Sequence, residues 1–256
     1  MLLNPHAETK MLASVVSLDE AKLVIEAGAD IVDLKNPIEG ALGALPLSIV
    51  QSIVDGLGHQ TIISATIGDQ PMNPELLVSK TREMLATGAD IVKIGFFGNE
   101  YHQACLQALK DLAGRQAKLV AVMFADSKPN LNLLDDIAQS GFYGVMLDTA
   151  HKNGKDLLDY FDLDELSLFV SRAKELGLCV GLAGALKHSQ VRALLSIQPS
   201  YLGFRSALCD ARARTSNINT AQVRSLVEEM RQGAQASLFV NKAQYDLIER
   251  HAYLNL

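Results

Sequence analysis

Charged side chains stand at the ends of several short apolar runs in this sequence. They are Asp33, Lys35, Lys93, Asp148 and Arg205. A lysine that is partly desolvated and crowded by another ammonium has a lowered pKa, so its free amine can attack an aldehyde or ketone to form a Schiff base. Carboxylates nearby can move protons to and from carbon and oxygen. These residue types therefore indicate imine chemistry on a small carbonyl compound.

The histidines and cysteines do not favour metal-dependent chemistry. The six histidines are scattered, without the HxH or HExxH spacing that brings zinc ligands together. Cys105, Cys179 and Cys209 form no CxxC pair, and a sparse, odd set of cysteines is typical of a reducing compartment. We therefore expect no metal and no cofactor. His151 is interpreted as a solvent-facing loop residue.

Eight apolar runs alternate with helical patterns along the chain. We predict strands over 11–16, 31–35, 61–66, 91–95, 119–125, 143–148, 178–183 and 200–205. In a weak repeat, EAGADIVDLK (26–35) and LATGADIVKIG (85–95) each combine a helix end, a glycine stop and a buried strand. Eight such units in 256 residues predict a single-domain (βα)8 TIM barrel with parallel strands. A doubly wound open sheet is the alternative, but no GxGxxG or P-loop marks its crevice.

Two helix starts and the chain's division into domains can also be predicted. The sequence Ser17–Glu20 has the form of a capping box, and a second helix is expected to begin at 161–165 and end near 176–177. Because no linker divides the chain, we assign residues 1–233 to the catalytic barrel domain and 234–256 to a C-terminal helical extension. The apolar residues of that extension could pack on the barrel or on a neighbouring subunit, so a homo-oligomer is one of the two alternatives.

Strand parity predicts that the charged residues converge. Val32 and Leu34 share one parity and should face the helices, so Asp33 and Lys35 point into the barrel mouth. The same reasoning directs the charged residues of the other even-numbered strands inward. Alternate strands build one layer of a TIM barrel, and active sites lie at its C-terminal end. A structural layer of ion pairs that only closes the barrel is the alternative interpretation.

Strand ends also supply candidates for binding a phosphorylated substrate. TIM barrels often hold phosphate at the loops after strands seven and eight, which suggests Gly184, Ala185, Arg205 and Ser206. Small residues let backbone amides approach an anion, and an arginine can bind it bidentately. Ser64, Thr66 and Asp126 end the third and fifth strands and are further candidates for substrate binding. Lys152 follows the sixth strand and adds another ammonium.

Composition narrows the partners and the location. The net charge is −6, which is a poor match for nucleic acid or an anionic membrane surface. No window of eighteen apolar residues is present, and the N-terminus lacks the basic and apolar regions of a secretory signal. We expect a cytoplasmic protein that binds a small phosphorylated molecule, without nucleic-acid or membrane partners.

Several motifs together resemble a known enzyme family. They are ADIVDLKNPIEGALGA (29–44), SATIGD (64–69), GADIVKIG (88–95), DTAHKNGKDLLDY (148–160), LAGALK (182–187) and GFRSALC (203–209). In order and over most of the chain, they resemble the (5-formylfuran-3-yl)methyl phosphate synthase family of methanofuran biosynthesis. The DLKNPxEGxLGA block is specific, whereas GADIV occurs in many barrels.

The resemblance implies a TIM-barrel lyase that condenses two glyceraldehyde 3-phosphate molecules to a phosphorylated furan aldehyde, with loss of phosphate and water. The family's catalytic aspartates and lysines fall on Asp33, Lys35, Lys93, Asp148 and Lys152, and the resemblance makes Lys35 the imine-forming lysine. Another class I aldolase acting on small sugar phosphates is the alternative enzyme. A catalytically silent barrel used for ligand binding or assembly is the alternative from a different class.

Overall fold

A closed barrel of eight parallel strands forms the centre of the chain. The computed structural model describes residues 8–98, 100–114, 117–151 and 153–233. Each strand pairs with the next, and the eighth pairs with the first. The strands are β1 Lys10–Val15, β2 Ile31–Leu34, β3 Ile62–Thr66, β4 Ile91–Phe96, β5 Lys118–Phe124, β6 Gly144–Asp148, β7 Cys179–Leu182 and β8 Tyr201–Phe204. The predicted TIM barrel is confirmed, and every strand end lies within one residue of its prediction. Lys152 and the predicted extension 234–256 lie outside the described residues.

Helices follow the strands and cover the outside of the barrel. They are α1 Leu18–Glu26, α2 Leu47–Leu57, α3 Pro74–Leu85, α4 His102–Ala113, α5 Leu133–Gln139, α6 Leu163–Glu175 and α7 Val191–Ser196, and residues 220–233 are also helical. The predicted start of α6 is confirmed, because Asp162 and Glu165 form a reciprocal capping box.

The predicted capping box of α1 is only half formed. The Ser17 hydroxyl accepts a hydrogen bond from the Glu20 backbone N–H at 3.2 Å, as expected for a helix cap. The Glu20 carboxylate, however, accepts from the backbone N–H of Val16 and from the Arg205 guanidinium. The second half of the box does not form, because the charged guanidinium of Arg205, the residue after β8, reaches the same carboxylate.

The strands alternate between an outer and an inner face, as predicted. Val32 and Leu34 are fully buried in the apolar layer between barrel and helices. A second apolar cluster fills the lower interior of the barrel with Leu12, Ile31, Ile62, Ile91, Val120 and Tyr201. The next inward-facing residue toward the C-terminal end of four of these strands is polar, namely Ser14, Asp33, Ser64 and Lys93. The barrel therefore has a packed floor beneath a polar mouth.

The loop between β2 and α2 closes part of that mouth. Its Leu42 is fully buried and belongs to the same interior cluster as the stacked rings of Phe97 and Phe124. The Asp69 carboxylate holds the loop by accepting from the backbone N–H of Ala41 at 2.8 Å and of Leu42 at 2.6 Å. Only glycine fits at position 43, because a Cβ there would lie 2.3 Å from the Asn36 carbonyl oxygen. The loop therefore covers the mouth beside β4 and β5.

Among the described residues, no helix has both the length and the apolar character needed to cross a membrane.

Candidate active site

A cavity of about 220 Å³ opens at the C-terminal end of the barrel. Its lining includes the inward side chains of β2, β4 and β6, the loops after β7 and β8, and the segment after β6. The predicted residues Asp33, Lys35, Lys93 and Asp148 all line this one cavity. The convergence that strand parity predicted is therefore observed.

Asp33 and Lys93 form an almost completely buried ion pair at the base of the cavity. Lys93 Nζ lies 2.6 Å from Asp33 Oδ1, and the two side chains are 2% and 1% exposed. Asp33 also accepts hydrogen bonds from the hydroxyls of Ser14, at 2.9 Å, and Ser64, at 2.6 Å. These donors compensate the carboxylate for its lost hydration, which a buried charge requires.

The surroundings of Lys93 lower its pKa. Burial is the largest influence and lowers the pKa of Lys93, and the charge of Lys35 lowers it further. The neighbouring Asp33 raises the same pKa but does not outweigh the burial. A lysine of lowered pKa can accept a proton or act as a nucleophile at a lower pH than an exposed lysine.

Lys35 pairs with Asp148 nearer the opening. Lys35 Nζ lies 3.1 Å from Asp148 Oδ2, and the two side chains are 13% and 7% exposed. Asp148 Oδ1 accepts a hydrogen bond from the Thr149 backbone N–H at 2.7 Å, which orients the carboxylate. Lys35 is therefore more accessible than Lys93.

Asp126 holds the chain that follows β6. Its buried carboxylate accepts from the backbone N–H of Ala150 at 2.9 Å and of His151 at 2.6 Å, and it contacts the His151 ring Nδ1 at 2.7 Å. Burial raises the pKa of Asp126, but these hydrogen bonds outweigh it and leave the pKa below its usual value. The exposed His151 ring thus has a structural contact. Asp126 fixes the backbone that leads from Asp148 toward position 152.

The loop after β7 forms one wall of the cavity. Gly184 and Ala185, both predicted to bind phosphate, line it. Gly184 adopts φ +107°, and a Cβ there would lie 2.8 Å from Thr149 Cγ2. The Gly184 carbonyl accepts from Leu157 N–H, whereas within the described part of the chain no acceptor meets the N–H of Gly184, Ala185 or Leu186. Unpaired amides of this kind can bind an anion.

Asp156 anchors this loop from the side. Its buried carboxylate lies 2.6 Å from Lys187 Nζ and accepts a hydrogen bond from Gln190 at 2.9 Å. The same carboxylate accepts from the backbone N–H of Leu158. The segments after β6 and β7 are therefore tied together beside the cavity.

Arg205 lines the cavity, but its donors are directed at protein acceptors. It binds Glu20 bidentately at 2.6 and 3.2 Å and also donates to the carbonyls of Ser14, Arg214 and Ser216. An arginine has five N–H donors, and each has an acceptor here. The N–H groups of Arg205 that were predicted to bind phosphate therefore bond to protein acceptors, and they join the end of β8 to β1 and α1.

The other predicted binding residues also have protein partners. Ser64 donates to Asp33, and Thr66 donates to the Gly43 carbonyl at 3.0 Å. Neither of them, nor Asp126, lines the cavity, whereas Ser206 does. Their direct contact with substrate stays a prediction. Lys152 cannot be placed, since it lies outside the described residues.

Sequence reasoning missed several residues of the cavity. Ser14 follows the inward parity of Leu12 on β1, so the same alternation could have identified it. Lys155, Arg212 and Arg214 also line the cavity. They lie in irregular segments, where neither strand nor helix periodicity indicates which way a side chain points. In the described ranges, no cluster of three histidine, cysteine or acidic side chains is arranged to bind a metal.

A family model described as 4-HFC-P synthase matches residues 11–227, which is most of the chain. The chain belongs to this family. It is 34% identical over 229 residues to (5-formylfuran-3-yl)methyl phosphate synthase of Methanothermobacter thermautotrophicus, which covers 85% of this chain and 97% of that one. It is 32% identical over 234 residues to the synthase of the same name from Methanopyrus kandleri, with coverage of 86% and 98%. Because these relatives are named synthases, the 4-HFC-P synthase family is a family of enzymes. The aligned region covers nearly the whole length of each relative.

Comparison with solved structures confirms the TIM-barrel fold of this member of the 4-HFC-P synthase family. Phosphoribosyl anthranilate isomerase from Thermus thermophilus superposes with a TM-score of 0.63 over 88% of this chain and 99% of that chain, at 16% identity. Identity this low carries the fold alone.

Proposed function

We propose that this protein condenses two molecules of glyceraldehyde 3-phosphate to (5-formylfuran-3-yl)methyl phosphate. The reaction releases one phosphate and two waters and would make the protein a carbon–oxygen lyase of methanofuran-type carrier biosynthesis. The observation that carries the proposal is the convergence of two Lys–Asp pairs in one cavity, in a member of the 4-HFC-P synthase family.

Lys35 is the proposed nucleophile. Its amine attacks the aldehyde carbon of one triose phosphate, and loss of water gives the imine. Two observations support Lys35 over Lys93: its side chain is more exposed to the cavity, and Asp148 lies 3.1 Å from its Nζ. A carboxylate at that distance can take up the ammonium proton before attack and return a proton to the departing hydroxyl.

Lys93 is the proposed base. Because burial lowers its pKa, it can hold a neutral amine that removes the proton on the carbon next to the imine. The electron pair of the broken C–H bond moves into the imine and forms an enamine, which then attacks the aldehyde carbon of the second triose phosphate. Asp33 lies 2.6 Å from Lys93 Nζ and stabilises the ammonium that proton removal creates.

The later steps close the ring and make it aromatic. A hydroxyl oxygen attacks a carbonyl carbon to close the ring, and elimination of phosphate and water leaves the furan. The stability of the aromatic product favours the forward direction. The N–H groups of Gly184 and Ala185, together with Ser206, are proposed to bind a substrate phosphate. Lys152, beyond the backbone that Asp126 fixes, is proposed to exchange protons with Asp148.

We further propose that the reaction takes place in the cytoplasm. Cys105, Cys179 and Cys209 are buried free thiols, which fits a reducing compartment. The substrate would be a small phosphorylated metabolite, with no nucleic acid, membrane or metal required.

Incubation with glyceraldehyde 3-phosphate alone, followed by mass spectrometry, tests this function. We expect the phosphorylated furan aldehyde and one inorganic phosphate per furan formed. A stable open-chain sugar phosphate with no phosphate release would instead indicate another Schiff-base aldolase. No product of either kind would indicate a silent barrel and contradict the proposal. The matched control is Lys80→Met on the outer face of α3, which should retain activity.

A further inference from the structure

The segment after β8 carries two arginines to the rim of the cavity. An antiparallel bridge between Cys209 and Ile218 closes this segment at its base, and the Asp210 backbone N–H donates to the Asn217 carbonyl at 3.1 Å. At its tip, Ala211 and Arg212 adopt φ values of +50° and +57° in succession. Non-glycine residues in this left-handed region are strained, and such strain persists where surrounding contacts enforce it, often at binding sites.

Arg214 connects this segment to the loop after β2. Its Nη2 donates to the Pro37 carbonyl and, at 2.9 Å, to the Gly40 carbonyl. The side chain is half-buried and lines the cavity. Among the described residues, no acceptor meets its Nε or Nη1. One edge of the guanidinium is therefore fixed by protein, and the other remains available to a ligand.

Arg212 and Lys155 line the same cavity without a carboxylate partner. Within the described ranges, neither Arg212 nor Lys155 makes a side-chain hydrogen bond or ion pair. Lys155 Nζ lies 5.5 Å from the centroid of the Tyr160 ring. Deeper in the cavity, each of Lys35 and Lys93 has an aspartate. The rim thus keeps an excess of positive charge although the whole chain carries −6.

We propose that Arg212 and Arg214 bind the phosphate of a triose phosphate substrate, the role that sequence reasoning assigned to Arg205. This inference rests on the proposed function and names the side chains that recognise its substrate. Arg205 has no N–H left for a ligand, whereas the two rim arginines present guanidinium edges suited to a phosphomonoester dianion. Since Arg214 also holds the β2 loop, a bound phosphate would join the β2 and β8 segments across the opening.

Calorimetric binding of glycerol 3-phosphate tests the site directly, because this probe has the phosphate but no aldehyde and forms no imine. We expect Arg212→Gln and Arg214→Gln each to raise its Kd by about tenfold or more, as expected for loss of a charge-assisted contact. Arg214→Lys should recover part of the affinity. The control is Arg192→Gln, whose side chain is 73% exposed on α7 and which should leave the Kd unchanged.

A second measurement separates phosphate binding from folding and from catalysis. Borohydride trapping of unphosphorylated glyceraldehyde should proceed in Arg212→Gln at the wild-type rate, since the aldehyde needs no phosphate site. An unchanged Kd for glycerol 3-phosphate in Arg212→Gln and Arg214→Gln would overturn the inference, as would equal loss of trapping and of phosphate affinity. If the variants lose phosphate affinity but wild type makes no furan, the site is upheld and only the proposed function fails.

Discussion

Lys93 Nζ lies 2.6 Å from Asp33 Oδ1 at a depth where neither side chain is more than 2% exposed. A buried ion pair seldom stabilises a fold more than apolar residues of the same size would, because both charges lose their hydration. Structural layers of TIM barrels are usually apolar. We therefore interpret the pair as part of the catalytic site rather than as a stabilising contact. Measurements of unfolding free energy and of activity can distinguish the two roles.

Removal of one member of the pair should destabilise the protein. We expect Asp33→Asn to lower the free energy of unfolding by about 3–5 kcal/mol, because Lys93 is left buried without a counter-charge. The double variant Asp33→Leu with Lys93→Met should recover most of that loss in denaturant unfolding and yet have no activity. Full stability in Asp33→Asn would contradict the buried pairing. Arg172→Gln, on the exposed face of α6, is the matched control and should have little effect.

The pH dependence of the rate should follow the lowered pKa of Lys93. A base must be neutral, so kcat is expected to rise with pH through the pKa of Lys93 in the folded protein, which burial places below the ordinary 10.5. The stability of the fold should change with pH in the same direction as kcat. The unfolded chain binds the proton more readily, so stability should increase with pH between the folded pKa and 10.5. A pH–stability comparison of wild type with Lys93→Met should show this slope in wild type alone; equal slopes would exclude the assignment.

Asp126 should affect catalysis through the backbone it holds. Asp126→Asn keeps the size but weakens the hydrogen bonds from the N–H groups of Ala150 and His151, so we expect kcat to fall by about tenfold. His151→Ala should have a smaller effect, because both backbone bonds remain. A raised KM with unchanged kcat in Asp126→Asn would instead support direct substrate binding.

Asp126 should also contribute to stability at low pH. Since the pKa of Asp126 is lowered by its hydrogen bonds, its stabilisation is fully present above the unfolded value of 3.8 and is lost as pH falls through the lower folded value. Acid unfolding of wild type and Asp126→Asn should therefore converge as the pH decreases below 3.8. Curves that stay parallel would show that this carboxylate does not titrate with folding.

Arg205 is expected to stabilise the closed barrel. The side chains of Arg205 and Glu20 are 12% and 16% exposed, and their contact is bidentate. We expect Arg205→Met to lower the free energy of unfolding by about 3 kcal/mol and Glu20→Gln to show strong non-additivity with it in a double-mutant cycle. If Arg205 bound substrate phosphate instead, Arg205→Met would raise KM and leave the melting temperature unchanged.

Periodicity predicted the barrel and the core of the site well. Apolar runs that alternate with helical patterns predicted all eight strands, and parity directed Asp33 and Lys93 into one cavity. Contacts between distant segments could not be predicted in this way. The β2 loop closes the mouth because Asp69, about 27 residues away, accepts its backbone N–H groups. Arg205 is directed at Glu20 because the two meet only after the eighth strand pairs with the first.

Borohydride trapping in the presence of glyceraldehyde 3-phosphate, followed by peptide mapping, shows directly which lysine forms the imine. We expect a reduced covalent adduct on Lys35 and its absence in Lys35→Arg, which keeps the charge but lacks the nucleophilic amine. An adduct on Lys93 alone, or full furan formation by Lys35→Arg, would contradict this assignment.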